Sequence, residues 1–239
     1  MILSAALPPR QDALEPTIDV AGVALIAHPS GALYEPGSAA LIVADLHLEK
    51  GSSFARRGQF LPPYDTATTL GRLAALVETF RPRAVIALGD SFHDRGGPQR
   101  LADGDREALA ALQRGRDWIW VAGNHDPEPP VGCGGEACAE TALGALTLRH
   151  EPKAGACAGE LAGHLHPVAK VAVRGRALRR RCFATDGARV VLPAFGAYAG
   201  GLNVRDAAFG GLFASGALTA WMLGETGVYA VAGWGLRPD

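Results

Sequence analysis

Apolar runs and helical stripes alternate through the first half of the chain. Residues 40–44, ALIVA, form an unbroken apolar run of strand length, the pattern of a buried strand. From 65 to 80, Leu70, Leu73, Leu76, Val77 and Phe80 recur at helical spacing. Asp65 is a candidate cap for that helix, and Pro82 ends it. Residues 84–88, AVIAL, repeat the strand pattern. Residues 103–114 read as a second amphipathic helix with Asp103 as candidate cap, and 118–122, WIWVA, as a third strand. This β-α-β-α-β order predicts a mostly parallel sheet with right-handed crossovers. After residue 140 the rhythm changes. Apolar or alternating segments at 145–149, 168–173, 189–194, 218–223 and 228–232 are separated by Gly and Pro, without a helix of comparable quality. The expectation is a mixed α/β (α+β) fold. A parallel-leaning sheet comes first, a more antiparallel sheet packs face to face against it, and helices lie outside.

The residues just past each strand carry the candidate chemistry. ALIVA runs into Asp45-Leu46-His47, AVIAL into Gly89-Asp90 with His93 and Asp94 beyond, and WIWVA into Gly123-Asn124-His125-Asp126. Later segments run into His150 and into Gly163-His164-Leu165-His166. Ligands of open α/β sheets bind beyond the carboxyl ends of strands. Any one such cluster by itself reads better as turn residues or caps; the succession at strand exits points to one site. On an extended strand end, Asp45 with His47, and His164 with His166, would point the same way. Carboxylates and imidazoles without thiolate suit Mn, Fe or Zn better than Ca or a structural zinc. The donors are too many for one closed site, so two ions sharing a bridging carboxylate are expected, with Asp90 of the central strand as the bridge.

Composition narrows the class. Of 239 residues, 48% are hydrophobic and 20% charged, enough for a substantial core and against a disordered chain; one domain spanning 1–239 is expected. The net charge of −1 leaves nucleic-acid contact to a local patch. The first residues, MILSAALPPRQDALEP, lack the basic and apolar regions of a secretory signal, so a soluble cytoplasmic protein is expected. The 18 uncharged residues between Asp206 and Glu225 are broken by glycines, and read as a turn feeding a buried strand rather than a membrane span. Cys133, Cys138, Cys157 and Cys182 form no C-x-x-C pair; reduced thiols are preferred over a zinc loop. Residues 174–181, RGRALRRR, form a basic segment. Arg179, Arg180 and Arg181 read as backbone-phosphate contacts in a hairpin, or as a solvated turn of an arginine-biased chain. Arg56 and Arg57 are further substrate-contact candidates, or helix surface.

The set D-x-H, G-D-x-x-H-D, G-N-H-D, a lone His and G-H-x-H, spanning roughly 41–166, resembles the calcineurin-like metallophosphoesterase superfamily. DLHLEKGSSFARRG at 45–58, LGDSFHD at 88–94 and LPAFGAYAGGLN at 192–203 are similar to the bacterial ligase-associated DNA damage response phosphoesterase family, PdeM. The resemblance implies a four-layer α-β-β-α sandwich and two divalent transition-metal ions, manganese foremost. Asp45, His47 and His166 would hold one ion, Asn124, His150 and His164 the other, and Asp90 both. His125 would be the general acid for phosphodiester hydrolysis, with Asp126 orienting its ring. His93 would contact the phosphate being cut, or be a loop histidine without function. The family association implies DNA as substrate, and a DNA ligase, a helicase and an exonuclease as associates. Two other functions stay open. One is a phosphodiesterase or phosphatase on small nucleotides; the other is a non-catalytic scaffold docked on repair partners. The apolar C-terminal third offers a face for a homodimer.

Overall fold

A computed structural model describes residues 16–239. The expectation about a secretory signal falls on residues 1–15, outside the described residues. The first sheet contains β1 (Thr17–Val20), β2 (Val23–Ala27), β3 (Leu33–Glu35), β4 (Ala40–Val43), β5 (Ala84–Leu88), β6 (Asp117–Val121) and β7 (Glu136–Cys138), in that spatial order. Strands β1 to β4 pair antiparallel, and β4 to β7 parallel. Its crossovers carry α1 (Lys50–Ala55), α2 (Asp65–Phe80), α3 (Gly97–Arg100) and α4 (Asp103–Gln113).

The second sheet is built from β8 (Glu140–Leu143), β9 (Leu146–Arg149), β10 (Glu160–Ala162), β11 (Pro167–Val173), β12 (Arg176–Thr185), β13 (Arg189–Val191), β14 (Leu202–Asn203), β15 (Thr219–Leu223) and β16 (Val228–Ala232). Its spatial order is β14-β11-β12-β13-β10-β9-β8, with β15 and then β16 added beside β12. The expected antiparallel character holds for β8 with β9, for β12 with β11, β13 and β15, and for β15 with β16, while the edge pair β11 with β14 is parallel. At its centre β9, β10 and β13 are parallel, so both sheets have parallel centres, and the candidate residues follow the carboxyl ends of their strands.

Period-2 alternation sorts the side chains into layers. Ile42, Ile86, Leu88 and Val121 face inward against Leu148, Leu161, Phe183 and Val190 of the second sheet. Leu41, Val43, Val85 and Trp118 face outward under Leu70, Leu73 and Leu76 of α2 and Leu109 and Leu112 of α4. Each such leucine contributes about 1.5–3 kcal/mol by leaving water. The second sheet's outer face, with Ala169, Cys182, Ala184 and Met222, is covered by Val204, Phe209, Leu212 and Leu236. That covering layer is loop chain with 3₁₀ turns at Ala207–Phe209 and Gly233–Gly235. The uncharged run between Asp206 and Glu225 thus lies over this sheet and ends in β15. Among the described residues, no helix is long and apolar enough to cross a membrane.

Two helix starts differ from expectation. Asp65 and Asp103 are first-turn residues, not caps; Tyr64 and Ala102 precede them and make no side-chain cap bond. Asp65 instead accepts the Gly51 N–H at 3.0 Å, tying α1 to α2. Within the second sheet, between β10 and β13, lies an ion pair the apolar pattern did not suggest. Fully buried Glu160 faces Arg189 at 3.2 Å, and Arg149 approaches it at 3.3 Å. Arg189 also donates to the Lys153 and Gly155 carbonyls, anchoring the loop between His150 and β10.

Candidate metal centre

The exits of β4, β5, β6, β9 and β10 meet at the edge where the two sheets abut. The chain does not leave these strands extended. Asp45, His47, Asp90, His164 and His166 have φ of 54°, 44°, 45°, 69° and 46°, all left-handed. Non-glycine residues held there typically carry about 1–3 kcal/mol of strain, and such residues cluster at functional sites. The kink, rather than strand alternation, turns both members of each D-x-H and H-x-H pair toward the centre. Close approach explains the glycines beside them. A Cβ on Gly89 would stand 2.4 Å from the His150 ring, and one on Gly123 would stand 2.1 Å from the Asp90 nitrogen.

Three groups of donors result: Asp45 with His47 and His166, Asp90 with His150 and His164, and a third that shares His47, with His93 and His125. In the first, His166 Nε2 is 3.3 Å from both Asp45 Oδ1 and His47 Nε2. In the second, Asn124 Oδ1 lies 2.9 Å from His150 Nε2 and 3.0 Å from His164 Nδ1. The Asp90 carboxylate faces the first two groups, with Oδ1 3.4 Å from His150 Nε2 and Oδ2 4.0 Å from His47 Nε2.

The protonation pattern fits metal ions. His150 Nδ1–H donates to the Leu88 carbonyl at 3.0 Å, which leaves Nε2 as the ring nitrogen that faces the Asn124 oxygen. Nε2 and the Asn124 oxygen thus stand side by side, placed to hold one cation between them. Burial, reinforced by His166, His125 and His93, lowers the His47 pKa to about 2, keeping it in the neutral form a metal requires. Burial and His150 lower the pKa of His164 as well. At His166 burial also opposes charge, but Asp45 outweighs it and raises the pKa. None of the four cysteines joins a candidate ligand group among the described residues; Cys133 and Cys182 are buried and all four thiols are free.

His125 stands over the same carboxylate, its Nε2 3.9 Å from Asp90 Oδ2. Its Nδ1–H donates to the His93 main-chain carbonyl at 2.7 Å. The expected orienting contact from Asp126 is therefore made by a backbone oxygen. Asp126 turns away and accepts the Phe92 N–H at 3.0 Å, holding the loop that carries His93. Burial pushes the Asp126 pKa up to about 7, with Phe92 opposing and Asp90 adding to the rise. The His93 ring lies 5.2 Å from His125 and 5.5 Å from His47, in the wall of the same cleft. Burial, with Lys50 and His125, lowers its pKa to about 4.

The family model for calcineurin-like phosphoesterases matches residues 39–159, half of the chain. The chain belongs to the calcineurin-like phosphoesterase family. It is thus a metal-dependent phosphoester hydrolase, and the scaffold alternative is set aside. Among solved structures, the Pseudomonas putida nuclease MPE is similar, with a TM-score of 0.69 and 28% identity over 90% of this chain and 99% of that one. No curated protein sequence matches.

The candidate arginines of this phosphoesterase lie outside the ligand groups. Arg179, Arg180 and Arg181 line a trough of about 490 Å³ that shares Gly200 and Gly201 with the ligand cleft. Arg179 donates to the Gly201 carbonyl at 2.9 Å and pairs with Asp239, and Arg181 donates to the Ala194 carbonyl at 2.7 Å. Arg56 and Arg57 are exposed at the end of α1, and the charge of Arg57 is felt at His93. One cleft residue escaped the motif reading: Lys50, on the one-and-a-half-turn helix α1. Its signal was present in the segment DLHLEKG, but a six-residue helix is too short for a hydrophobic stripe.

Proposed function

We propose that this phosphoesterase hydrolyses phosphodiesters and acts as a nuclease in DNA repair. The observation that supports this most is the shared carboxylate. The first two donor groups and His125 converge on Asp90, within 3.4–4.0 Å. The proposed ligands are Asp45, His47 and His166 on one side, Asn124, His150 and His164 on the other, with Asp90 between them. Two divalent ions held there, manganese foremost with iron or zinc as alternatives, supply an activated water and offset charge on the phosphoryl oxygens.

The chain's own residues do the rest. The His93 carbonyl occupies His125 Nδ1–H, so a proton on Nε2 is the one aimed into the cleft and delivered to the leaving oxygen. Asp126 keeps that carbonyl in place through the Phe92 N–H. His93 contacts the phosphate being cut, which favours diesters over monoesters. Arg179, Arg180, Arg181, Arg56 and Arg57 are phosphate contacts along the strand. The name of the P. putida nuclease supports the nuclease reading. The family resemblance supports a cytoplasmic repair role beside a DNA ligase, a helicase and an exonuclease.

A second reading has its own support: a cleft of about 340 Å³ is the size of a small-ligand pocket, so small nucleotide diesters are the rival substrates. The test is activity of chelator-stripped protein reloaded with Mn, Fe, Zn or Mg. Mn-dependent cleavage of nucleic acid, above small diesters and monoesters, is expected. Preference for monoesters, or full activity without metal, would overturn the proposal.

A further inference from the structure

Lys50 is a cation without a role in the ligand set. It opens α1 directly after Glu49, whose φ of 63° is left-handed. That kink is fastened on every side. The Glu49 carboxylate accepts from the Ser52 and Thr66 hydroxyls at 2.6 and 2.9 Å, and the Glu49 N–H donates to Thr66 at 2.9 Å. Lys50 is therefore projected from an immobilised backbone into the wall of the ligand cleft, beside His47 and His93. Its ammonium passes 5.8 Å from the Phe54 ring centre and donates to the Tyr198 carbonyl at 3.0 Å. Among the described residues no carboxylate lies within ion-pairing distance of it. An ammonium has three donors, and one hydrogen bond leaves two. A half-buried charge is a costly way to hold one carbonyl, since a neutral amide would do the same.

Tyr198 belongs to the loop that runs between the ligand cleft and the arginine trough. Lys50 holds the loop at Tyr198 and Arg179 holds it at Gly201, while Gly200 and Gly201 border both the cleft and the arginine trough. We infer that Lys50 is a substrate-contacting residue. Its two remaining donors bind a non-bridging oxygen of the phosphate next to the scissile one. The nucleic-acid strand runs from the cleft across Gly200 and Gly201 into the trough of Arg179 to Arg181. The inference rests on the phosphodiesterase reading and commits it to substrates with more than one phosphate.

The test compares Lys50→Met and Lys50→Gln with the unaltered protein in two assays. In the first, a fluorescent single-stranded oligonucleotide binds chelator-stripped protein over a range of salt. Loss of one phosphate contact lowers the slope of log affinity against log salt by about 0.7. In the second, Mn-loaded protein cleaves either the oligonucleotide or bis(p-nitrophenyl) phosphate, which has no second phosphate. The KM for the oligonucleotide is expected to rise about 10–100-fold in both variants, with a much smaller rise for the small diester. Gln can still hold Tyr198. If Lys50→Gln behaves as the unaltered protein, or both substrates lose equally with an unchanged salt slope, Lys50 only pins the loop and the inference is overturned. If the unaltered protein cleaves no diester with any metal, the phosphodiesterase reading fails, and this inference fails with it.

Discussion

The first two donor groups of the centre occupy unlike surroundings. In the first, Asp45 is fully buried and His47 is 6% exposed, packed among other imidazoles. In the second, His150 is buried, but Asn124 is exposed and His164 only half-buried. Burial does opposite things to different ligand types. It keeps an imidazole neutral and ready to coordinate, yet it makes an uncompensated carboxylate costly. The first group is therefore the more enclosed, whereas Asn124 and His164 leave the second open to water on one side. The difference predicts a tightly held ion beside Asp45 and an exchangeable one beside Asn124.

The harshest test removes what the groups share. Asp90→Asn should deplete metal from both and lower activity by more than about 10⁴-fold, because each ion supplies several kcal/mol of charge stabilisation. Elemental analysis showing both ions retained at a normal rate would reject the shared carboxylate. His125→Ala should separate catalysis from binding, with metal content unchanged and turnover down about 10²–10⁴-fold. An empty site in that variant would make His125 a ligand instead.

His164→Ala addresses the asymmetry itself. Activity should fall by roughly 10²-fold and return as Mn is raised, while His47→Ala should stay inactive at the same Mn concentration. Equal recovery in titrations of both variants would erase the distinction between the groups.

The smallest effect lies just outside both groups. At Asp94 burial favours the protonated form, but Arg100, at 2.8 and 2.9 Å, and Ser53 outweigh it and hold the pKa down at about 2. A carboxyl lowered from 3.8 stabilises the fold above that value, and the contribution disappears as pH falls toward 2. Asp94→Asn should thus cost about 1–2 kcal/mol at neutral pH, discounted for partial exposure, with no change in metal content. Urea unfolding should show the gap closing between pH 4 and pH 2; a gap independent of pH would mean that the Arg100 pair adds nothing to stability.

Legibility followed locality. The β4, β5 and β6 strands and helix α2 were readable because a run of apolar residues or a 3.6-residue stripe is a property of neighbouring positions. Caps were not: Asp65 looked like one, but its carboxylate found the Gly51 N–H on another helix. Strands β1 to β3 were missed because short antiparallel segments such as β3, Leu33–Glu35, hold too few residues to show a period. The Glu160–Arg189 pair was unreadable too, since two opposite charges 29 positions apart do not announce that each will be fully buried against the other.

The order of residues along the chain was enough to establish that carboxylates, an amide and imidazoles would leave successive strands at their carboxyl ends. How they face one another was settled by folding. Left-handed kinks at Asp45, His47, Asp90, His164 and His166 turned the side chains inward. The abutment of two parallel sheet centres put His150 beside Asn124 and His166 beside Asp45. Packing set Lys50 in the cleft wall and gave His125 a backbone carbonyl as its partner in place of Asp126. The cause is range: strand patterns arise from adjacent residues, whereas burial, protonation and convergence depend on groups more than a hundred positions apart, such as His47 and His166.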